Sequence, residues 1–361
     1  MNVDRAVPRV PVPVRDDFAA LEGYHSAQVD LAVRLNTNES PFAPPAAWLA
    51  ELSAELATVA WNRYPDRTAR ALREGIAALH GVAPARVFAA NGSNEVLQTV
   101  LLGYAGPGRT VAVFEPTYQL HSQIARITGA TVVSGARGDD FTLDVGELRR
   151  VLTEAQPDVT FLCSPNNPTG IVEPPEVLEA ALELAPGLVI VDEAYAQFST
   201  WSALDRVADD RPLVVVRTFS KTWSMAGLRL GYLVGPSWLV AQLEKVVLPY
   251  HLDAAKQVAG RLALRHVGEM ERRVSQVVEE RGRVSAGLAD LGVEVFPSGA
   301  NFVLYRLGDH DAVEVWKQLV AHGVLVRDCS GWGRLDGCLR VTIGLPDEND
   351  RFLAAMKAIL T

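Results

Sequence analysis

Leu213-Val214-Val215-Val216-Arg217-Thr218-Phe219-Ser220-Lys221 is an apolar run that ends abruptly in two hydroxyls and a lysine. A short, continuous hydrophobic stretch bounded by polar residues is the pattern of a strand buried on both faces. Such strands belong to parallel sheets covered by helices on either side, and ligands bind there outside the carboxyl ends of the strands. Lys221 therefore stands at a ligand-binding edge. The chain has only five lysines, and the other four, Lys245, Lys256, Lys317 and Lys357, lie in stretches with amphipathic helical spacing.

The same pattern repeats outward from this run. Strands are expected at Val87-Phe88-Ala89-Ala90, Thr110 to Phe114, Thr131-Val132-Val133, Val159 to Leu162, Leu188 to Val191 and Leu230 to Val234, with helical spacing between most of them. Four strands run into polar or Gly/Pro clusters: Asn91-Gly92-Ser93-Asn94, Pro165-Asn166-Asn167-Pro168, Asp192-Glu193-Ala194-Tyr195 and Thr218 to Lys221. These four loops should converge. Beyond them come a long charge-rich helix over 253 to about 291, hairpin-like strands over 293–296 and 301–305, a helix over 311–322, strands over 324–326 and 338–343, and a closing helix over 348–360. The fold class is α/β: a large, mainly parallel sheet unit over 44–247, and a smaller α+β unit formed by the arm 1–43 with 248–361.

At 361 residues and 48% hydrophobic content the chain can bury a large core. A net charge of -9, with basic residues dispersed, argues against nucleic acid or an acidic membrane as the main partner. The three cysteines, Cys163, Cys329 and Cys338, have no CxxC spacing, so neither a disulfide framework nor a metal site is expected. The Pro-interleaved N-terminus lacks the apolar block of a signal peptide, no apolar run reaches membrane-spanning length, and a cytoplasmic location is expected.

A lysine at a buried strand end, flanked by Thr218 and Ser220 and followed by Arg229 in Gly227-Leu228-Arg229-Leu230-Gly231, suits covalent attachment of pyridoxal 5'-phosphate. Partial desolvation keeps the amine neutral for attack on the aldehyde, and the hydroxyls and guanidinium can hold the phosphate. Gly92 allows close backbone approach to the amides of Ser93 and Asn94, which open a helix and favour an anion. Asp192 ends an apolar strand, where a protonated pyridine nitrogen would keep it ionised. Asn167 and Tyr195 can donate to the ring's phenolic oxygen, and Tyr118 can stack on the ring. Arg340, between Leu339 and Val341, calls for an anion such as a substrate carboxylate, and Arg327 offers a second positive site. Each residue also has a structural reading: Ser93, Asn94 and Asp192 as helix caps, Tyr118 and Tyr195 as core aromatics, Arg327 as a salt-bridge residue.

Taken together, Asn91 to Glu95, Pro165 to Gly170, Val191 to Tyr195 and Thr218 to Lys221 with Arg229 resemble the fold-type I aminotransferases. Within them the chain is most similar to the histidinol-phosphate aminotransferase family, from Leu35-Asn36-Thr37-Asn38-Glu39-Ser40-Pro41 through Arg63-Tyr64-Pro65-Asp66 to Leu339-Arg340-Val341-Thr342-Ile343-Gly344. The resemblance implies that Lys221 holds and later frees the cofactor aldehyde, and that Thr218, Ser220, Arg229, Ser93 and Asn94 hold the phosphate. It further implies Tyr64 reaching that phosphate from the other subunit of a homodimer, Arg340 on the substrate carboxylate, and Arg327 with Tyr24 on a substrate phosphate. 2-Oxoglutarate and glutamate would complete the cycle. Aromatic amino acid aminotransferases and threonine-phosphate decarboxylases share this scaffold, and a regulator without turnover is a further reading that the intact Lys221, Asp192, Tyr195 and Arg229 oppose. Ser40, Phe42 and Trp223 depart from the family pattern, near the expected substrate mouth, and Asn94 stands where many relatives have an acidic residue.

Overall fold

The structure is a computed structural model describing residues 12–19, 21, 23 and 29–361. Among these residues the strands are β1 (Val33–Leu35), β2 (Val87–Ala90), β3 (Thr110–Glu115), β4 (Thr131–Ala136), β5 (Val159–Cys163), β6 (Leu188–Asp192), β7 (Leu213–Thr218), β8 (Gly231–Val234), β9 (Glu294–Val295), β10 (Phe302–Arg306), β11 (Val324–Asp328) and β12 (Cys338–Thr342). They form a seven-stranded sheet, β2-β8-β7-β6-β5-β3-β4, and a five-stranded sheet, β1-β11-β12-β10-β9. In the larger sheet β3 to β7 run parallel and β8 runs antiparallel to both its neighbours.

Burial explains the apolar runs. Every residue of β5, β6 and β7 is buried. Alternate side chains feed two cores: Val189, Val191, Leu213 and Val215 point to one helix layer, and Leu188, Ile190, Val214 and Val216 to the other. Each such side chain contributes about 1.5–3 kcal/mol on burial. The carboxyl ends of these strands turn together toward the smaller sheet, whose own core is built from Phe302, Tyr305, Val324, Leu339, Val341 and Phe352.

Two expectations need revision. The single helix expected over 253–291 is two, Ala254–Ala263 and Val267–Ala289, joined by a short turn Leu264–His266. The first packs with the larger sheet through Ala259, Leu262 and Ala263, and the second serves both cores, Met270 packing with the larger sheet and Val277, Val284 and Leu288 with the smaller. The core of the larger unit thus extends past residue 247, to Met270. Within the described part of the arm, β1 pairs parallel to β11 of the smaller sheet. Among the described residues no helix is long and apolar enough to cross a membrane.

Candidate active site

The four loops converge on one cavity of about 170 Å³, lined by Ser93, Asn94, Tyr118, Asn167, Asp192, Tyr195, Thr218, Ser220, Lys221, Arg229 and Arg340 together with Thr37, Asn38, Gln119, Cys163, Ala194 and Trp332. At one end the helix Ser93–Tyr104 begins, so the amides of Ser93 and Asn94 lack intrahelical acceptors. Gly92, with φ at 84°, brings this turn against Arg229, and a Cβ there would stand 2.9 Å from the Arg229 guanidinium. A Cβ at Gly231 would stand 2.3 Å from the Ser93 nitrogen. Two glycines thus keep a narrow cradle open. Arg229 Nη1 donates to Ser220 Oγ at 3.3 Å, and the Ser220 amide donates to Thr218 Oγ1 at 3.1 Å.

The opposite end is acidic. Asp192 is 3% exposed, accepts from the Ala194 amide at 3.1 Å, and lies 2.9 Å from His121 Nε2. His121 is fully buried, stacks on Phe161 with centroids 4.4 Å apart, and meets Tyr118 edge-on. No sequence signal singled it out: it stands three residues after Tyr118 and reaches Asp192 only through folding.

Between the two ends lies Lys221, whose Nζ donates to the Thr37 carbonyl at 3.1 Å and sits 5.8 Å from the Tyr195 ring centroid. Burial, then the Arg340 charge, push its amine down to about 7, with Arg229 adding to the effect and Glu39 opposing it. Tyr195 is buried, accepts from Asn38 Nδ2 at 3.0 Å, and its hydroxyl is pushed above the usual phenol range by burial. Arg340, 5% exposed, donates to Asn167 Oδ1 at 2.5 Å and to the Asn36 carbonyl at 3.0 Å, and its Nε has no partner. Among the described residues it pairs with no carboxylate. The arm segment Asn36-Thr37-Asn38 thus touches Arg340, Lys221 and Tyr195 in turn, and its turn is held by Asn301 Nδ2 on the Asn38 carbonyl at 3.1 Å.

The remaining expected residues lie elsewhere. Arg327 opposes Arg340 in the β11–β12 pairing, so the two side chains share a sheet face. It is not itself in the cavity lining, but its guanidinium lies 5.3 Å from the ring centroid of Trp332, which is. Tyr64 is 80% exposed, outside the cavity, and stacks on Tyr250 at 4.4 Å. Tyr24 is outside the described residues. Trp223 packs on Phe219 in the core, and Ser40 and Phe42 sit behind Lys221, so these departures do not line the cavity.

The family model for "Aminotransferase class I and II" matches residues 32–356. The chain belongs to the class I and II aminotransferases. It is 44% identical to the histidinol-phosphate aminotransferase of Frankia casuarinae, over 97% of this chain and 91% of that one, and 44% identical to that of Streptomyces avermitilis, over 96% of each. The fold matches the Sinorhizobium meliloti histidinol-phosphate aminotransferase, solved in complex with pyridoxal-5'-phosphate, with a TM-score of 0.87 at 23% identity over 99% of this chain and 98% of that one.

The aminotransferase depends on pyridoxal phosphate, and its cavity fits that group: amide, hydroxyl and guanidinium donors at one end, a buried carboxylate at the other, a desolvated amine between. Lys221 also bears on stability. Its folded-state value of about 7 lies below the ordinary 10.5, so between these values the unfolded chain holds the proton more tightly. The amine therefore disfavours folding increasingly as pH falls from 10.5 toward 7. In cofactor-free protein, Lys221→Met is expected to raise the urea unfolding midpoint above wild type, by more at pH 7 than at pH 10. A constant difference would contradict this.

Proposed function

We propose that this aminotransferase moves the amino group of histidinol phosphate to 2-oxoglutarate, a step of histidine biosynthesis. The observation that carries it is the pairing of a buried Arg340, with an unpartnered Nε and no carboxylate partner among the described residues, with a Lys221 amine at about 7 in the same cavity. The two relatives at 44% identity, both histidinol-phosphate aminotransferases, support the substrate. Bound in the cavity, pyridoxal 5'-phosphate supplies an electron-withdrawing ring that stabilises negative charge at the substrate's α-carbon.

In this assignment Ser93, Asn94, Thr218, Ser220 and Arg229 bind the cofactor phosphate. Asp192, held between His121 and the Ala194 amide, would face the ring nitrogen. Asn167 offers its amide NH2, since its oxygen is held by Arg340, and Tyr195 its hydroxyl, to the phenolic oxygen. Tyr118, in the cavity lining, would cover the ring. Lys221 would hold the cofactor, and its Nζ in the neutral form is the group placed to take the α-proton; an amine near 7 has both forms available at neutral pH. Arg340 binds the α-carboxylate of glutamate or 2-oxoglutarate, and Arg327, Arg340 and Tyr24 meet the phosphate of histidinol phosphate.

Arg340→Met is expected to lower kcat/KM for glutamate by about a hundredfold or more, because a charged pair truncated at one side costs about 2–5 kcal/mol. Arg340→Lys should recover only part, lacking the planar fork. Single-turnover conversion by glutamate measures both.

The active form is a homodimer in this proposal, with Tyr64 serving the partner's cofactor phosphate. Trp61, Tyr64, Leu248 and Tyr250 are 64%, 80%, 76% and 40% exposed, and Tyr64 stacks on Tyr250, large side chains that a partner subunit would cover. Sedimentation of a fully active monomer would refute it. The substrate is tested by mixing the loaded enzyme with histidinol phosphate or phenylalanine and following the cofactor absorbance. Conversion with histidinol phosphate is expected; conversion with phenylalanine alone would replace this substrate by an aromatic amino acid.

A further inference from the structure

Immediately behind the cavity floor, on the opposite face of the larger sheet, runs a buried polar chain. Asp192 and Thr218 point into the cavity, and the residue next to each, Glu193 and Arg217, points the other way. Glu193 is fully buried and Arg217 is 8% exposed. Arg217 Nε and Nη2 donate to Glu193 Oε2 at 3.0 and 2.8 Å, and Arg217 Nη2 also donates to Ser202 Oγ at 2.8 Å. The carboxylate accepts further from Ser202 Oγ at 2.8 Å and from the Ala203 amide at 2.5 Å. On the other side Tyr232 of β8 stands opposite Arg217 in the strand register, and its hydroxyl lies 2.7 Å from His80 Nε2. Burial, with the Arg217 charge, pushes His80 down to about 4, so this imidazole is neutral at pH 7 and the ion pair is the chain's only charge. Tyr232 also packs edge-on against Phe219, two residues before Lys221, with centroids 5.6 Å apart.

A buried ion pair is a poor way to gain stability, since well-packed apolar residues of similar volume often do as well or better. What it does supply is fixed geometry with directional bonds. The chain ties together the ends of β6, β7 and β8 and the segment around Ser202, one residue away from the groups that face the cavity. We propose that Glu193 and Arg217, with Ser202 and Tyr232 at their flanks, are positioning residues that hold Asp192 and Lys221 at the separation the bound cofactor requires. The pair adds no net charge beneath the floor, so it fixes position without shifting the cavity's electrostatic balance.

This rests on the assignment of Asp192 and Lys221 to the cofactor, and the experiment separates the two. Wild-type enzyme loaded with pyridoxal phosphate is compared with Glu193→Leu/Arg217→Met, an apolar replacement leaving no charge unpaired. The double variant is expected to melt at or above the wild-type temperature, yet to release cofactor at least tenfold more readily on dialysis and to lose at least tenfold in kcat with KM for glutamate little changed. The single variants add a signed readout. Glu193→Gln leaves a positive charge beneath the floor and should lower the ionisation midpoint of the bound chromophore; Arg217→Met leaves a negative one and should raise it. A double variant with wild-type cofactor retention and kcat overturns the proposal, as do single variants that shift the midpoint in one common direction. Should the double variant not fold, Ser202→Ala, which removes hydrogen bonds from the pair without unpairing it, is expected to weaken cofactor retention about threefold, and wild-type retention there overturns it equally. Absence of any lysine-linked chromophore in the wild type would instead sink the underlying cofactor assignment.

Discussion

Lys221→Ala is expected to reduce transamination by more than about ten-thousandfold while leaving a folded protein that still binds pyridoxal phosphate. A positioned acid–base group alone contributes up to about ten-thousandfold, and Lys221 supplies the covalent link as well. No other lysine can take its place, because Lys245, Lys256, Lys317 and Lys357 lie on helices and none lines the cavity. Retention of the cofactor should persist at reduced affinity, since the donors at Ser93, Asn94, Ser220 and Arg229 are untouched. Rapid mixing of the loaded variant with glutamate, followed by absorbance, tests the first part, and equilibrium dialysis the second. Conversion within tenfold of wild type would remove Lys221 from the chemistry.

Asp192→Asn is expected to lower kcat by about a thousandfold, the scale seen when one preorganised electrostatic contact at a charge-developing centre is lost. The substitution preserves shape and leaves an acceptor for the Ala194 amide. It removes the negative charge that would hold the ring nitrogen protonated, and it leaves His121, fully buried with an unpartnered Nδ1, without its carboxylate. KM for glutamate should change much less, because Arg340 reaches the cavity from the other sheet. A pre-steady-state measurement separates the two effects, and a variant that loses binding while keeping kcat would contradict the role given to Asp192.

The larger sheet was legible in the sequence because strands buried on both faces read as apolar runs, and a run that stops in Asp192 or in Thr218-Phe219-Ser220-Lys221 marks the edge where ligands bind. The convergence of the Asn91, Asn166, Asp192 and Lys221 loops follows from that rule alone. What was not legible depends on partners distant in sequence. His121 meets Asp192 across 71 residues, and Asn38 meets Tyr195 across 157. Neither has a local pattern beyond ordinary helix or arm composition. The break at Leu264–His266 was hidden because apolar residues on both sides of it, Ala263 and Met270, serve the same core. Glu193 and Arg217 were likewise silent, since a charged residue beside a strand end reads as solvent-facing until the layer covering it is known. Lys221's desolvation has the same origin: its neighbours include the Thr37 carbonyl, supplied across 184 residues.

The most direct measurement is reduction of the loaded enzyme with borohydride, followed by proteolysis and mass mapping of the pyridoxyl group. The label is expected on Lys221 alone. A label on any other side chain, or none after reduction, would contradict the account.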